Sequence, residues 1–298
     1  MTEKPLVSIG CITYNHAPYI RQCIKGFLMQ KTNFPFEIII NDDCSTDGTT
    51  EIIKEYEKQY PNLINAIYHS ENQYSKGVKG IFWKYVFSKV RGKYIAMCEG
   101  DDYWTDPYKL KRQIEYLELH KNYIAISENG IIHYIDSNKE ELFSNKNERD
   151  IDIEELIKSR QFPTASVVFK KKAITDDFYE LKYHHDTMLW CYLASKGKFR
   201  YLTNVSSVYN RGCGITETTR PYRWAVIVDN WNHELMRVFG DQYNIEISKK
   251  NIYENYWGGL LRSYSKRDWI GGFHCLSECL LMHPIQTSKR IWDILFSV

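Results

Sequence analysis

The sequence lacks the long hydrophobic run, about eighteen apolar residues, that a membrane-spanning helix needs. Its formal net charge is only +2, which gives no reason to expect a nucleic-acid partner. Residues 1–10 lack the basic and then apolar pattern of a secretory signal. With 43% apolar and 26% charged residues, the chain is typical of a globular protein, and we expect a cytoplasmic one.

None of the eight cysteines forms a CxxC pair, which argues against a zinc site or a disulfide framework. We therefore expect reduced, buried thiols. Cys275 and Cys279 lie one helical turn apart, where core packing is favoured over metal binding. Aromatic residues are abundant, with 23 tyrosines and 8 tryptophans, a composition that suits either sugar-binding surfaces or an aromatic core.

Strand-like and helix-like patterns alternate over the first hundred residues. Ser45 or Thr46 is expected to cap the second helix. Each helical pattern joins two apolar runs, so the alternation favours right-handed βαβ units and a mostly parallel sheet. The apolar runs predict strands, and the segment between the last two predicts a helix over 79–90; the strands are expected at 6–13, 36–40, 63–69 and 94–98.

The second half of the chain is less regular. A charged stretch, 138–152, is expected to be a surface loop leading into a short helix. After Pro221 the chain becomes helical and rich in tryptophan and tyrosine. We predict an α/β domain over 1–220 and a helical extension over 221–298. The remaining predicted elements are helices at 107–120 and 185–196 and strands at 124–135, 164–169 and 199–209.

The first predicted strand is followed by Thr13-Tyr14-Asn15-His16-Ala17-Pro18 and not by a glycine-rich phosphate loop. A nucleotidyltransferase that makes sugar nucleotides would need such a loop, basic in character, at this point. A dinucleotide-dependent oxidoreductase would need G-x-G-x-x-G there. The sequence therefore argues against both classes of enzyme.

Paired carboxylates follow two of the predicted strands, as Asp42-Asp43 and Asp101-Asp102. The carboxyl ends of parallel strands are where such sheets bind ligands. Clustered negative charges are costly unless a cation or donor-rich ligand lies between them. Because Mg²⁺ and Mn²⁺ bind carboxylate and phosphate oxygens, the pattern suits a metal–diphosphate complex. The alternative is that aspartates after the strands cap turns or helices. We favour this capping role for Asp47, which lies in the turn that enters the second helix.

Three segments carry a family resemblance: VSIGCITYNHAPYIRQCIKGFLMQ, EIIINDDCSTDGTTEII and GKYIAMCEGDDYWTDPYKLKRQIEYL. Together they span roughly residues 6–120. They resemble the inverting GT-A-fold glycosyltransferases of family 2, many of which build bacterial surface polysaccharides. Cys44 stands where that family commonly has glycine. The resemblance implies a Rossmann-like, mostly parallel sheet flanked by helices, and a nucleotide-sugar donor.

The resemblance also implies roles for individual residues. Tyr14 would pack on the nucleotide base, although a core or turn role competes with this. Asp43 would bind the base edge, most often uracil in this family. Asp101 would contact the ribose or donor sugar. Asp102 would bind Mn²⁺ or Mg²⁺ at the diphosphate.

An inverting transfer needs a base that takes the proton from the attacking hydroxyl. In the family this base is a carboxylate at the start of a helix in the second half, and Asp186 occupies the matching place. His185 replaces the usual preceding acid and is expected to tune Asp186, contact the acceptor or act as the base itself. The alternative for Asp186 is a purely structural helix cap.

Several weaker features complete the prediction. Arg211 and Arg223 are candidates for diphosphate or acceptor contacts. Residues 220–224, RPYRW, resemble the QxxRW motif of processive polysaccharide synthases, but glutamine is replaced and the membrane helices of those enzymes are not predicted. The loop 75–80 offers either phosphate contacts or only a solvated surface. The tail 284–298 is apolar with two basic residues, and either packs on protein or touches a membrane.

The predicted function is therefore inverting transfer of a sugar from a nucleotide-sugar donor, expected to be a UDP-sugar, to a saccharide or lipid-linked saccharide acceptor. The resemblance implies a role in polysaccharide biosynthesis at the cytoplasmic side of a membrane. The competing hypothesis is a sugar-nucleotide-binding protein that has lost turnover. Binding of the nucleotide sugar without turnover would distinguish the two.

Overall fold

The computed structural model describes residues 4–213 and 219–296, without the side chains of 295 and 296. Within this part of the chain, ten strands form one sheet in the order β3-β2-β1-β4-β9-β6-β10-β5, with β7 beside β6 and β8 beside β10. The strands are β1 Val7–Thr13, β2 Phe36–Asp42, β3 Ile64–Tyr68, β4 Tyr94–Met97, β5 Tyr103–Trp104, β6 Tyr123–Tyr134, β7 Lys139–Leu142, β8 Arg149–Ile151, β9 Val168–Lys170 and β10 Lys198–Arg211.

Pairing within the sheet is mixed. Strands β3, β2, β1 and β4 pair in parallel, as the alternating pattern predicts, and so do β6 and β10. The short strand β9 enters between β4 and β6 and is antiparallel to both. Strands β5, β7 and β8 also pair antiparallel. The carboxyl ends of β1, β2 and β4 therefore lie along one edge of the sheet.

Helices cover the sheet and form a separate group near the C-terminus. They are α1 Ala17–Leu28, α2 Thr49–Gln59, α3 Lys109–Leu119, α4 Ile153–Lys158, α5 Asp176–Tyr179, α6 Asp186–Lys196, α7 Pro221–Phe239, α8 Glu246–Ser265, α9 Trp269–Met282 and α10 Pro284–Phe296. None of the described helices is both long and apolar enough to cross a membrane.

Burial explains the continuous apolar runs of the first strands. Ile9 and Ile38 are fully buried, because parallel strands in this position are covered on both faces. Helix α1 packs with its buried face of Ile20, Ile24 and Phe27. Residues of β1, β2 and β4 belong to this one buried core, and the loops that follow these strands start from it.

Three local predictions are wrong. The segment predicted as a helix over 79–90 contains a π-helical turn, Phe82–Val86, and a 3₁₀ turn, Phe87–Lys89. In the segment 138–152, predicted as a loop, β7 and β8 pair with longer strands, which supply hydrogen-bond partners that no local pattern reveals. The predicted strand over 164–169 begins instead as a 3₁₀ turn and becomes strand only at Val168.

The start of α2 also differs from prediction. Neither Ser45 nor Thr46 caps it; Gly48 takes the N-cap position with φ of 102°, which glycine adopts at little cost. Ser45 is used otherwise, because its hydroxyl donates to Asp42. Asp47 has the structural role that we favoured, accepting hydrogen bonds from the backbone N–H groups of Ala17 and Thr49.

The chain divides into two compact units, residues 1–213 and 214–298. The first contains the sheet. In the second, α7 to α10 surround a small core that includes Tyr253, Tyr256 and Trp257. Cys275 and Cys279 are buried in that core as unpaired thiols, in agreement with the packing role predicted for them. The boundary predicted after residue 220 stays a prediction, since residues 214–218 lie outside the described residues.

Candidate functional site

Three carboxylates meet just beyond the carboxyl end of β4. One oxygen from each of Glu99, Asp101 and Asp102 lies within 4.8 Å of the others. Gly100 permits this turn, since a Cβ there would lie 2.5 Å from the Thr13 hydroxyl and 3.1 Å from Nδ1 of His16. The acidic turn is therefore pressed against the loop that follows β1.

Hydrogen bonds hold the acidic turn in place, but two of its carboxylate oxygens have no described hydrogen-bond partner. The backbone N–H of Asn210, at the end of β10, donates to Oδ1 of Asp102 at 2.9 Å, and its side chain donates to the Asp101 carbonyl at 2.5 Å. Oδ1 of Asp101 and Oδ2 of Asp102 are buried without a hydrogen-bond partner among the described residues. Buried polar atoms are rarely left in this state, so the two oxygens point to a ligand.

The electrostatics of this cluster lead to the same conclusion. Burial, followed by the charges of Asp101 and Glu99, raises the pKa of Asp102 well above its ordinary value. Burial and the charges of Asp186 and Asp101 raise the pKa of Glu99 to about 8. A bound divalent cation would remove this repulsion. The all-oxygen donor set, with two unpaired oxygens, fits Mg²⁺ or Mn²⁺.

Asp186 lies near this cluster at the start of α6. The N-cap of that helix is His185, so Asp186 is the first helical residue and is not the cap. Its Oδ2 accepts a hydrogen bond from the hydroxyl of Thr164. A negative charge is favourable at this end of a helix. Asp186 is thus a partly exposed carboxylate, oriented by a neighbour and close enough to Glu99 to shift its pKa.

The two histidines before Asp186 have different environments. Burial and then the neighbouring His184 lower the pKa of His185 to about 3, so this imidazole is neutral near pH 7 and a weak base. Ring Nε2 of His184 lies 3.1 Å from the Phe178 carbonyl. Of the two predicted catalytic residues, Asp186 is partly exposed and accepts a hydrogen bond from Thr164; which of them accepts the proton stays a prediction.

Tyr14 and Asp43 lie in adjoining loops after β1 and β2. The backbone N–H of Asp43 donates to the Thr13 carbonyl at 3.0 Å, which joins the loops. Tyr14 is 44% exposed, so its ring is available to a ligand. The Asp43 carboxylate accepts from the backbone N–H groups of Gln73 (2.8 Å) and Tyr74 (3.0 Å). Asp43 therefore also fixes the loop after β3.

The two predicted arginines belong to different units. Arg211 is exposed at the end of β10, with its guanidinium 5.4 Å from the centre of the Tyr134 ring. Two residues later, Sγ of Cys213 lies 3.5 Å from Oδ2 of Asp101, so this segment passes the acidic cluster. Arg223 is exposed on α7 in the helical unit. Their roles stay predictions.

Sequence reasoning missed four residues at this site: Glu99, Asn210, His16 and Arg160. Glu99 adjoins the predicted acids and had a local signal in the EGDD run. Nε2 of His16 lies 3.8 Å from Oδ2 of Asp101. Arg160, stacked 4.8 Å over the Tyr209 ring, is the cation that partly offsets the acid repulsion at Glu99 and Asp102. Asn210 and Arg160 come from distant segments without any motif.

Comparison with known proteins identifies the family of the chain. The model of the family described as Glycosyl transferase family 2 matches residues 8–178, which include the acidic cluster and end before Asp186. An uncharacterised protein of Mycobacterium tuberculosis is 38% identical over 206 residues, or 69% of this chain; the chain spans 58% of that relative's length. The Escherichia coli enzyme WfaP, a UDP-Glc:α-D-GlcNAc-diphosphoundecaprenol β-1,3-glucosyltransferase, is 28% identical over 69% of this chain and 77% of its own.

Solved structures share the fold. Staphylococcus aureus TarS (residues 1–349, in complex with UDP-GlcNAc) superposes with a TM-score of 0.66 at 15% identity, over 94% of this chain and 82% of that one. The mannosyltransferase PcManGT of Pyrobaculum calidifontis, in complex with GDP-Man and Mn²⁺, gives 0.56 at 14% identity, over 97% and 79%. The chain therefore has the GT-A fold and belongs to glycosyl transferase family 2.

Proposed function

We propose that this chain transfers a sugar from a nucleoside diphosphate sugar to an acceptor hydroxyl, with inversion at the anomeric carbon. The proposed donor is a UDP-sugar. The observation that carries the proposal is the acidic cluster of Glu99, Asp101 and Asp102, which has two unpaired buried oxygens and Asp186 beside it. Such a cluster suits a cation-bound diphosphate, and Asp186 suits a nearby reacting hydroxyl.

The donor would lie across the loops at the carboxyl edge of the sheet. Tyr14 would stack on the base, and Asp43 would accept a hydrogen bond from it. Both Asp43 oxygens already hold the loop after β3, so Asp43 also positions that wall of the base site. Asp101 would bind the ribose or sugar. The complex of TarS with UDP-GlcNAc supports this choice of nucleotide.

Asp102 would hold Mn²⁺ or Mg²⁺, with Asp101 and Glu99 next to it. When bound, the ion supplies charge stabilisation to the leaving diphosphate. The Mn²⁺ in the PcManGT complex supports a divalent ion for this fold. The chain's own contribution is the fixed position of Asp102, whose other oxygen is held by the Asn210 backbone. Arg211 and Arg223 are the proposed additional contacts to diphosphate or acceptor.

Asp186 would be the general base. The acceptor oxygen forms a bond to the anomeric carbon as the bond from that carbon to the diphosphate oxygen breaks, and Asp186 takes the hydroxyl proton. The Thr164 hydroxyl orients the carboxylate for this step. His185, neutral at pH 7, is proposed to contact the acceptor rather than to remove its proton.

The acceptor would be a saccharide or lipid-linked saccharide of bacterial polysaccharide synthesis, at the cytoplasmic side of the membrane. The lipid-linked acceptor named for WfaP supports this class. The tail 284–298 is the proposed membrane contact, since Ile285, Trp292 and Ile294 are 86%, 63% and 55% exposed. The side chains of Leu295 and Phe296, and all of Val298, lie outside the described residues.

The direct test is donor turnover. The purified chain would be mixed with UDP-glucose or UDP-GlcNAc and Mn²⁺, and UDP release would be followed with water or a lipid-linked saccharide as acceptor. We expect release that a chelator abolishes and Mn²⁺ restores. Binding of the UDP-sugar without any release would favour the non-catalytic alternative. Absence of both binding and release with UDP-, GDP- and dTDP-sugars would overturn the proposal.

A further inference from the structure

A lysine-lined cavity lies at the opposite end of β4, where the strand begins. A cavity of about 440 Å³ opens there, within the range of small-molecule sites. Five of its lining residues are lysines, and none is acidic: Lys93, Lys121, Lys170, Lys171 and Lys172. We call this cavity the lysine pocket. Glu99 of the acidic cluster is five residues beyond Tyr94, which lines the cavity, so the two are at most about 17 Å apart along the chain.

The positive charge of the lysine pocket is only partly compensated. Glu118 accepts hydrogen bonds from Lys93 (2.5 Å) and Lys121 (2.6 Å). The other contacts use neutral carbonyls: Lys170 donates to the carbonyl of Lys121 at 3.0 Å, and Lys171 donates to that of Val90 at 2.6 Å. Among the described contacts of the five lysines, the acidic partner is thus Glu118, which binds two of them.

Lys170 is the central group. It is only 3% exposed and lies opposite Tyr94 in the pairing of β9 with β4. Burial, followed by the charges of Lys172, Lys121 and Lys93, lowers its pKa. A lysine is almost never fully buried unless it is paired with an acid. The described hydrogen-bond partner of Lys170 is a neutral carbonyl, and three lysines are among the charges that act on it. An anion in the pocket would replace that repulsion by charge-assisted hydrogen bonds.

The pocket also has an apolar side, formed by Phe87, Tyr94 and Ile174. The ammonium of Lys171 lies 5.6 Å from the centre of the Phe87 ring, so charge and aromatic surface adjoin. Inorganic anions need only the lysines. A phosphate ester would use both parts, with its phosphate on the lysines and its organic portion on the rings.

We propose that the lysine pocket binds a phosphate-bearing molecule, independently of the nucleotide-sugar site. The phosphate belongs either to a small soluble ester or to the headgroup of an anionic lipid that presents the same group. The site needs no divalent ion, because lysines supply the charge.

The test uses inorganic pyrophosphate as the probe, with the full chain in EDTA so that the acidic cluster holds no metal. Calorimetry would compare the wild type with Lys170→Met and with Lys172→Gln, whose exposed position makes it safe for folding. Lys158→Gln, an exposed lysine of α4, is the matched control. We expect wild type and control to bind, and each pocket variant to bind roughly tenfold more weakly, the loss of one charge-assisted contact.

A second arm identifies the source of the phosphate. Co-sedimentation with phosphatidylcholine vesicles, with and without phosphatidylglycerol, would be measured on the same variants. Pyrophosphate binding that needs the pocket lysines, without vesicle binding, assigns a soluble ester. Vesicle binding that needs both phosphatidylglycerol and these lysines assigns a lipid headgroup. The proposal is overturned if neither probe binds, or if both pocket variants bind as well as the control does.

Discussion

The two ends of β4 carry opposite charges and are built in different ways. At the carboxyl end, Glu99, Asp101 and Asp102 occupy a tight turn fixed by Gly100, with two buried oxygens left without partners. At the start of the strand, five lysines surround an open cavity, and their described contacts include chain carbonyls and Glu118. One strand thus separates the proposed cation site from the proposed anion site.

The comparison indicates which of the two charged clusters has the greater need of a bound ligand to offset its repulsion. At the acidic end, backbone geometry forces carboxylates together, and burial raises the pKa values of Asp102 and Glu99. At the basic end, Lys170 is buried, but exposed lysines such as Lys172 can turn towards solvent, so the proposed anion would not be required for folding. Variants at the acidic end should therefore have the larger effects.

The largest effect is expected for Asp186→Asn. The amide keeps the shape and the contact with the Thr164 hydroxyl but cannot take a proton, so transfer should fall about 100- to 10,000-fold, with donor affinity unchanged. Steady-state kinetics and calorimetry with the donor would measure the two quantities. Asp176→Asn, at the first position of α5, is the matched control. Equal transfer activity of the two variants would show that Asp186 is not the general base.

Next in size is the pH dependence of metal binding. Because the pKa of Glu99 without metal is raised to about 8, a divalent ion must displace a proton below that pH. Mn²⁺ affinity should rise by up to about tenfold per pH unit towards pH 8 and then level off. Calorimetry in buffers of different ionisation enthalpy would count the released proton. In Glu99→Gln the slope should decrease; an unchanged slope would assign the proton to another group.

A smaller effect is expected for Gly100→Ala. The added Cβ would lie 2.5–2.6 Å from Oγ1 and Cβ of Thr13, so the turn must shift, at about 1–3 kcal/mol. Thermal unfolding would measure the loss. Gly240→Ala is the control, since its nearest neighbour would be 3.7 Å away and its φ is −56°. Equal stability of the two variants would mean that the acidic turn is not tightly held.

The smallest effect is expected at a buried charge that already has partners. Lys109 is fully buried, donates to Gln113 at 2.8 Å and lies 4.4 Å from the Trp104 ring centre. Burial lowers its pKa to about 8, below the unfolded value, so the wild type gains stability as pH rises from about 8 to 10. Lys109→Met should be neutral or about 1 kcal/mol more stable at pH 7, with a smaller advantage at pH 10.

Denaturant unfolding of both proteins at the two pH values would check this prediction. A loss of several kcal/mol in Lys109→Met at pH 7 would show instead that the ammonium is needed by its partners. Lys109 would then resemble the acidic cluster in that its charge, and not only its hydrogen-bonded partners, matters for stability.

Local sequence patterns predicted the first four strands and the acidic turn after β4, because short segments of the chain determine these elements. Parallel strands buried on both faces give continuous apolar runs, so β1 to β4 were found, and the EGDD turn follows β4 directly. The π-helical turn at Phe82–Val86 has an ordinary helical pattern; it packs beneath Gly10, whose absent side chain leaves room for the Phe82 ring.

Contacts between residues far apart in the sequence could not be predicted from local patterns. Asn210 reaches Asp102 across 108 positions of sequence, and Arg160 approaches Glu99 from the loop after α4. Strands β7 and β8 exist because β6 and β10 offer them partners. The lysines of the pocket come from separate segments and meet where β9 pairs with β4 and β6.

The most direct test of the account is calorimetric binding of UDP with Mn²⁺ or with EDTA, on the wild type and on Asp102→Asn. The asparagine keeps the shape that meets the Asn210 backbone but loses the charge. Glu115→Gln, an acid on α3, is the control. We predict Mn²⁺-dependent binding by wild type and control, weakened about 100-fold or more in Asp102→Asn. Equal binding by all three proteins, or binding that EDTA leaves unchanged, would contradict a metal–diphosphate site at the acidic end of β4.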